Sequence, residues 1–292
     1  MRRRHIFPVA LFVLACLLLM PHALADLGDP IPWDAEKMPY LPKAEGYLPD
    51  GAGYKDESLD IRVETFRHED TTVMAVYVTI QDPSQLRTVT ASPHYPSKAL
   101  APVAAMTKKV GAVLGINGDY FSFHNQGVVI RNARVLRNRP HEGRDTLIID
   151  DKGDFTILTP TTQEKLDAFE GNIIQAFCFG PGLVVDGQAI TTTDDISINN
   201  GKNRKTQRMV IGQLGPLQYL ILTNEGPENE GSVGFDLVQM AKLCKDKGMI
   251  NAYNLDGGSS CTVALNNKKI NARSSGKVRS VGDIICFASL EK

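Results

Sequence analysis

The chain has 292 residues, 42% of them hydrophobic and 22% charged, which is ample for a sizeable core and ordinary in charge. Its formal net charge of −1 supplies no global field toward nucleic acid or an anionic membrane, so a basic nucleic-acid binder is excluded on composition. The length fits one large domain or two small ones.

The chain opens as a targeting segment. Met1-Arg2-Arg3-Arg4 is basic, residues 6–20 are apolar and uncharged, and Ala23-Leu24-Ala25 is an Ala-x-Ala cleavage pattern. That layout is a secretory signal peptide, too short for a comfortable membrane span. Retention as an anchor and lipidation of Cys16 are the alternatives. Apolar residues continue past Cys16 and favour cleavage after Ala25. The expected mature protein starts at Asp26, has no transmembrane span, and works secreted or at the cell envelope. Its cysteines are Cys178, Cys244, Cys261 and Cys286. In an exported protein they permit two disulfides in three connectivities. No C-x-x-C pair suggests zinc.

Residues 26–58 read as a proline-rich arm. Pro30, Pro32, Pro39, Pro42 and Pro49 interrupt regular structure, and Gly51 and Gly53 follow. The expected division is therefore a signal peptide at 1–25, an arm at 26–58, and one domain over 59–292.

Apolar–polar alternation predicts strands at 59–66 and 72–81. Ser97 can cap a helix reaching Val110, with Gly111 as its stop. A buried strand is expected at 112–116, then strands at 128–131, 146–150, 155–158 and 173–179, with Asp151-Lys152-Gly153-Asp154 as a turn. Leu183-Val184-Val185 precedes a turn at Asp186-Gly187, and residues 209–212 and 217–223 read as a strand pair. Residues 235–247 set Leu237, Met240, Ala241 and Cys244 on one helical stripe. A strand at 252–255, a hairpin around Asn266-Asn267 and a last strand at 281–288 follow. Strands outnumber helices in irregular order. The fold class is α+β (mixed α/β): twisted mixed sheets flanked by a few helices, in a single catalytic domain.

Four segments carry candidate chemistry. Asn254-Leu255-Asp256-Gly257-Gly258-Ser259-Ser260 sets a carboxylate, two glycines and two hydroxyls at a strand end. Such a turn can gather N–H groups around an anion, or it can be a tight turn whose polar groups face water. Asn117-Gly118-Asp119-Tyr120-Phe121 offers an amide, a carboxylate and aromatic faces for a sugar, or an Asn-Gly turn entering the core. Arg208 follows a basic run and abuts an apolar strand, where a guanidinium can hold phosphate. Glu225, also at a strand end, is a catalytic carboxylate or a plain loop acid.

Taken in order, Asn117-Gly118-x-Tyr120-Phe121, the run 180–187, Arg208-Met209-Val210-Ile211-Gly212 and the run 254–260 resemble the phosphodiester glycosidase family, the family of "uncovering enzyme"-like domains with many exported bacterial members. The resemblance covers roughly residues 70–290. Met209-Val210, Asp119 and Asn224-Glu225-Gly226 depart from its usual pattern. It implies hydrolysis of a sugar joined through its anomeric carbon to a phosphodiester, releasing the sugar and leaving a phosphate monoester. On that reading Asp256 is base or nucleophile, with Glu225 and Asp119 as rivals. Arg208, Gly257, Gly258, Ser259 and Ser260 hold the phosphate, and Asn117, Gly118 and Tyr120 position the sugar. A phosphate monoester leaves more readily than an alcohol, which lessens the need for a raised-pKa acid. No cofactor is required by the sequence, though a divalent cation near Asp256 or Asp119 can assist. A silent carbohydrate-binding module and a conventional glycoside hydrolase are the alternatives. The expected partner is a phosphate-linked glycan or sugar phosphate.

Overall fold

The computed structural model describes residues 31–35, 37–194, 196, 201, 203–272 and 278–292. The signal-peptide reading and Cys16 lie outside the described residues. Among the described residues no helix is long and apolar enough to cross a membrane.

One eight-stranded sheet and two five-stranded sheets build the fold, and every strand pairing is antiparallel among the described residues. The central strands of the eight-stranded sheet, Met209–Gly215, Gln218–Asn224 and Asn251–Asn254, are buried on both faces for most of their length, whereas the outer strand Leu59–His68 alternates apolar with charged, solvent-reaching residues. Val76, Val78, Ile211 and Ile221 turn one way, into the central core with Ile116, Ile149, Phe177 and Ile285 of the smaller sheets. Ala75, Val210, Leu220 and Leu222 turn the other way, onto Met240, Ala241 and Cys244 of the helix Leu237–Asp246. That helix starts where the stripe predicts. The Asp236 carboxylate accepts the Gln239 N–H at 2.8 Å, a capping box.

The helix Val103–Val110 covers the outer face of the sheet containing Leu114–Asn117 and Asp283–Phe287. It is shorter than the stretch expected from Ser97. Pro102 stands at its N-cap, and the preceding Ala101 bridges to Val281. A proline suits the start of a helix rather than its interior. The Ser97 hydroxyl only accepts the Ala99 N–H.

The arm is structured in part. Ile31 and Met38 are buried with Val103, Met106 and Cys286. The Arg87 guanidinium, fully buried, donates to the carbonyls of Pro32, Trp33 and Ala35. Prolines prevent sheet pairing along this segment but do not prevent packing. At its far end the strand Gly53–Lys55 joins the edge of the eight-stranded sheet beside Leu59–His68. Cys178, Cys244, Cys261 and Cys286 are all free and buried, so neither of the two disulfides the sequence permits is formed. Each sits in an apolar core, where a thiol behaves as a small hydrophobe.

Candidate active site

All three sheets deliver chain to one place. The strand Leu114–Asn117 runs between Val263–Leu265 and Asp283–Phe287, with Val263 opposite Ile116 and Ile284 opposite Asn117. Its end brings Asn117, Gly118 and Asp119 beside Asp283. The Gly118 N–H donates to the Asp283 carbonyl at 3.0 Å. A Cβ at Gly118 would fall 2.4 Å from Asp283 Oδ1, so only glycine permits this approach. The strand Asn251–Asn254 of the large sheet brings Asp256 to the same place. The strand Gly127–Arg131 of the third sheet brings Arg131.

Asn117 ties two of these segments together. Its side-chain N–H donates to the Asp256 carbonyl at 2.8 Å and to the Gly118 carbonyl at 3.2 Å. Its side-chain oxygen accepts the Thr262 N–H at 3.1 Å. The amide is fully buried and therefore holds the loop rather than facing a ligand.

Behind the loop lies a buried charge cluster. Arg131 Nη2 meets Asp119 Oδ1 at 2.8 Å and Asp283 Oδ2 at 2.8 Å. Its Nε donates to Asp283, and Nη1 donates to the carbonyls of Ile130 and Ala176. The guanidinium also lies 4.2 Å above the Phe177 ring. Asp119 accepts the Phe121 N–H on one oxygen and the Cys178 N–H on the other. Asp283 Oδ1 is buried without a partner, and burial pushes that carboxyl upward against the pull of Arg131.

In front of the cluster is a narrow cleft lined by Asp119, Tyr120, Asp256, Ser260 and Arg279. Burial raises the Asp256 carboxyl above its ordinary range, opposed by the Ser260 hydroxyl, Arg279 and the Gly257 N–H. The Ser260 hydroxyl is buried and lies beside that carboxyl without a regular hydrogen bond. Tyr120 stacks on Phe123 at 4.3 Å between ring centroids, and the Arg279 guanidinium sits 5.5 Å from the Tyr120 ring.

The other expected residues fall differently. The Gly258 and Ser260 N–H groups already donate to the carbonyls of Gln207 and Gly257, while Ser259 is partly exposed. Arg208 does not line the cleft. Its Nε donates to the Phe235 carbonyl at 3.1 Å, and Nη2 donates to the carbonyls of Gly201 and Arg204 at 2.6 and 2.7 Å. A phosphate would have to compete with these acceptors. Glu225 also lies off the cleft and accepts the Ser232 hydroxyl at 2.8 Å. Among the described residues no group of three His, Cys, Asp or Glu is placed to hold a metal ion.

Sequence reasoning passed over Arg131, Asp283 and Arg279. The first two are charged residues at the ends of apolar runs, a position that reads as solvent-facing. Arg279 follows several other basic residues and reads as part of a solvated loop.

A model of the phosphodiester glycosidase family matches residues 110–288, which contain every residue of this cleft except Leu100. The chain belongs to the phosphodiester glycosidase family. Among curated proteins it is similar to the SPbeta prophage-derived uncharacterized protein YomE of Bacillus subtilis (strain 168), at 26% identity over 195 residues. The match spans 64% of this chain and only 29% of that relative's length. Among solved structures it is similar to the zebrafish N-acetylglucosamine-1-phosphodiester alpha-N-acetylglucosaminidase catalytic domain auto-inhibited by pro-peptide. That likeness has a TM-score of 0.62 at 18% identity, covering 79% of this chain and 82% of that one. A hypothetical protein from Synechocystis is similar at a TM-score of 0.58 and 14% identity, covering 79% of this chain and 62% of that one. At these identities the two likenesses show a shared fold.

Proposed function

We propose that this phosphodiester glycosidase-family chain hydrolyses a sugar-1-phosphodiester, breaking the bond between the anomeric carbon and the phosphate oxygen. The observation that carries the reading is the cleft itself. It sets one available carboxyl, Asp256, beside a cation, Arg279, and an aromatic face, Tyr120.

Of the three candidate acids, Asp256 is the one free to react. Both Asp119 oxygens are engaged, and Glu225 lies elsewhere. Asp256 attacks the anomeric carbon or takes a proton from the attacking water. The C–O bond breaks, its electron pair leaves with the phosphate, and the sugar gains the hydroxyl from water. Charge builds on the phosphate as this happens. Arg279 and the hydroxyls of Ser259 and Ser260 meet that charge. Tyr120 supplies a face for the sugar ring. Asp119, Asp283 and Arg131 position the segments that carry these groups. The substrate is an anionic, phosphate-linked glycan or sugar phosphate met outside the cytoplasm, in keeping with the leader-like opening of the sequence.

The deciding experiment compares release of sugar from a sugar-1-phosphodiester with release from a neutral glycoside of the same sugar. Selective turnover of the first, abolished in Asp256→Asn, is expected. Equal turnover of both would mark a conventional glycoside hydrolase, and turnover of neither a binding module. Repeating the assay in a chelator tests for a divalent cation beside Asp256 or Asp119.

A further inference from the structure

A cavity of 330 Å³ lies against the far side of the cleft wall. Ser122 and Gly282 line both spaces. A Cβ at Gly282 would fall 2.7 Å from the Ser122 hydroxyl oxygen, so the partition is one backbone against one side chain. The linings adjoin there as well: Ala99 lines the cavity, and the next residue, Leu100, lines the cleft. The cleft alone encloses only about 10 Å³. The cavity has the volume of small-molecule sites in general.

Its lining has a definite chemistry. Val89, Tyr95 and Leu136 give apolar walls. Lys37, Lys109 and Arg134 bring three cations to it from the arm, the helix Val103–Val110 and the strand Arg134–Arg139. None of the three has a carboxylate within 4.0 Å among the described residues. Arg134 makes a single long contact, to the Pro93 carbonyl at 3.4 Å. Among the described residues Asp34 is the one acid on the lining, and it is exposed; Arg131, also on the lining, is neutralised by Asp119 and Asp283. Cations on a flat surface are ordinarily just solvated. Here they come from three distant segments to one concave, partly apolar space.

We infer that this cavity binds an anionic sugar unit, a sugar phosphate in its chemistry, next to the unit cleaved in the cleft. The inference rests on the proposed function for its account of the cleft and deepens it. The substrate is then a glycan that carries more than one phosphate. The apolar walls take the sugar face, the cations take the phosphate, and the chain crosses the Ser122–Gly282 wall.

Calorimetric titration of the full chain with glucose 1-phosphate, inorganic phosphate and methyl glucoside tests this. Glucose 1-phosphate is expected to bind and methyl glucoside not to. Lys109→Glu with Arg134→Glu is expected to weaken glucose 1-phosphate by about tenfold or more. Lys152→Glu, a charge reversal in a turn that lines neither space, is expected to leave it unchanged. All three charge reversals are at exposed positions, and circular dichroism verifies the fold. Loss of binding in Asp256→Asn with none in the double variant would place the ligand in the cleft and overturn the inference. Inorganic phosphate binding as tightly as glucose 1-phosphate would also overturn it, leaving an anion patch only. Absence of glycosidase turnover would sink the proposed function alone, since the titration needs no catalysis.

Discussion

The Asn117 side chain donates to the backbone carbonyl of Asp256 at 2.8 Å, across 139 residues of sequence. One buried amide thus fixes the loop bearing Asp256, the proposed catalytic carboxyl, to the strand end bearing Asp119. Its oxygen holds the other flank of that loop through the Thr262 N–H. Loop geometry is set by a buried side chain that is not part of the cleft lining.

Asn117→Ala leaves the Thr262 N–H without its partner and the Asp256 carbonyl with only the weak Cys261 thiol donor at 3.9 Å. A buried orphan costs about 1–3 kcal/mol and the partly satisfied carbonyl somewhat less, so the variant should lose about 2–4 kcal/mol in urea unfolding. Asn117→Asp keeps an acceptor for Thr262 but turns the other oxygen toward the Asp256 carbonyl. It should restore little of the loss. Recovery to wild-type stability by aspartate would mean that the donated bond carries no weight.

Arg131 holds two carboxylates in the buried interior. Removing it as Arg131→Met leaves both unpaired, a loss of about 3–5 kcal/mol or failure to fold. Arg131→Met combined with Asp119→Asn and Asp283→Asn should regain much of that stability, because no buried charge is left. Thermal unfolding of the two variants side by side makes the comparison.

Much of this layout can be read in the chain. Strands Thr146–Asp150 and Phe155–Leu158 match expectation because two short apolar runs are separated by an unmistakable Asp-Lys-Gly-Asp turn. The strand Arg134–Arg139 carries no such signal. It is largely exposed and polar, and its turn places Ala133 at a φ of 64°, a position with no turn signature in the residue type. At the site, the runs 117–120 and 256–260 stand out because glycines and acids interrupt apolar strands. Arg131 and Asp283 do not, since only tertiary packing turns a charged strand end inward. Arg208 misleads for the opposite reason. Its place beside an apolar strand fits a ligand clamp and a carbonyl anchor equally, and only the acceptors around it distinguish the two.

Arg208 and Arg279 should therefore behave in opposite ways. Arg208→Ala removes three carbonyl partners and should cost about 2–4 kcal/mol of stability. Arg279→Ala, at an exposed position, should leave unfolding within about 0.5 kcal/mol of wild type. It should lower kcat/KM on phosphate-linked substrates by about 10–100-fold if it meets phosphate charge, through a bond worth about 1.5–3 kcal/mol. Turnover of neutral glycosides should not respond.

Asp256 joins catalysis to stability with a definite sign. Burial holds its folded-state pKa above its ordinary 3.8. Between those two values the folded chain binds the proton more tightly than the unfolded chain. Stability attributable to this group is therefore full at low pH and falls as pH rises through the folded-state pKa. At neutral pH the ionised Asp256 is a burden on the fold. Asp256→Asn removes that burden and should unfold at an equal or higher temperature at pH 7, with the difference vanishing toward pH 3. Activity should move the other way. A carboxylate acting as base or nucleophile must be ionised, so kcat/KM should fall on the acid side at a pH above the ordinary carboxylate range. Asp256→Asn should lower turnover by about 10²–10⁴-fold. A variant that is both less stable at pH 7 and undiminished in rate would remove Asp256 from the centre of the chemistry.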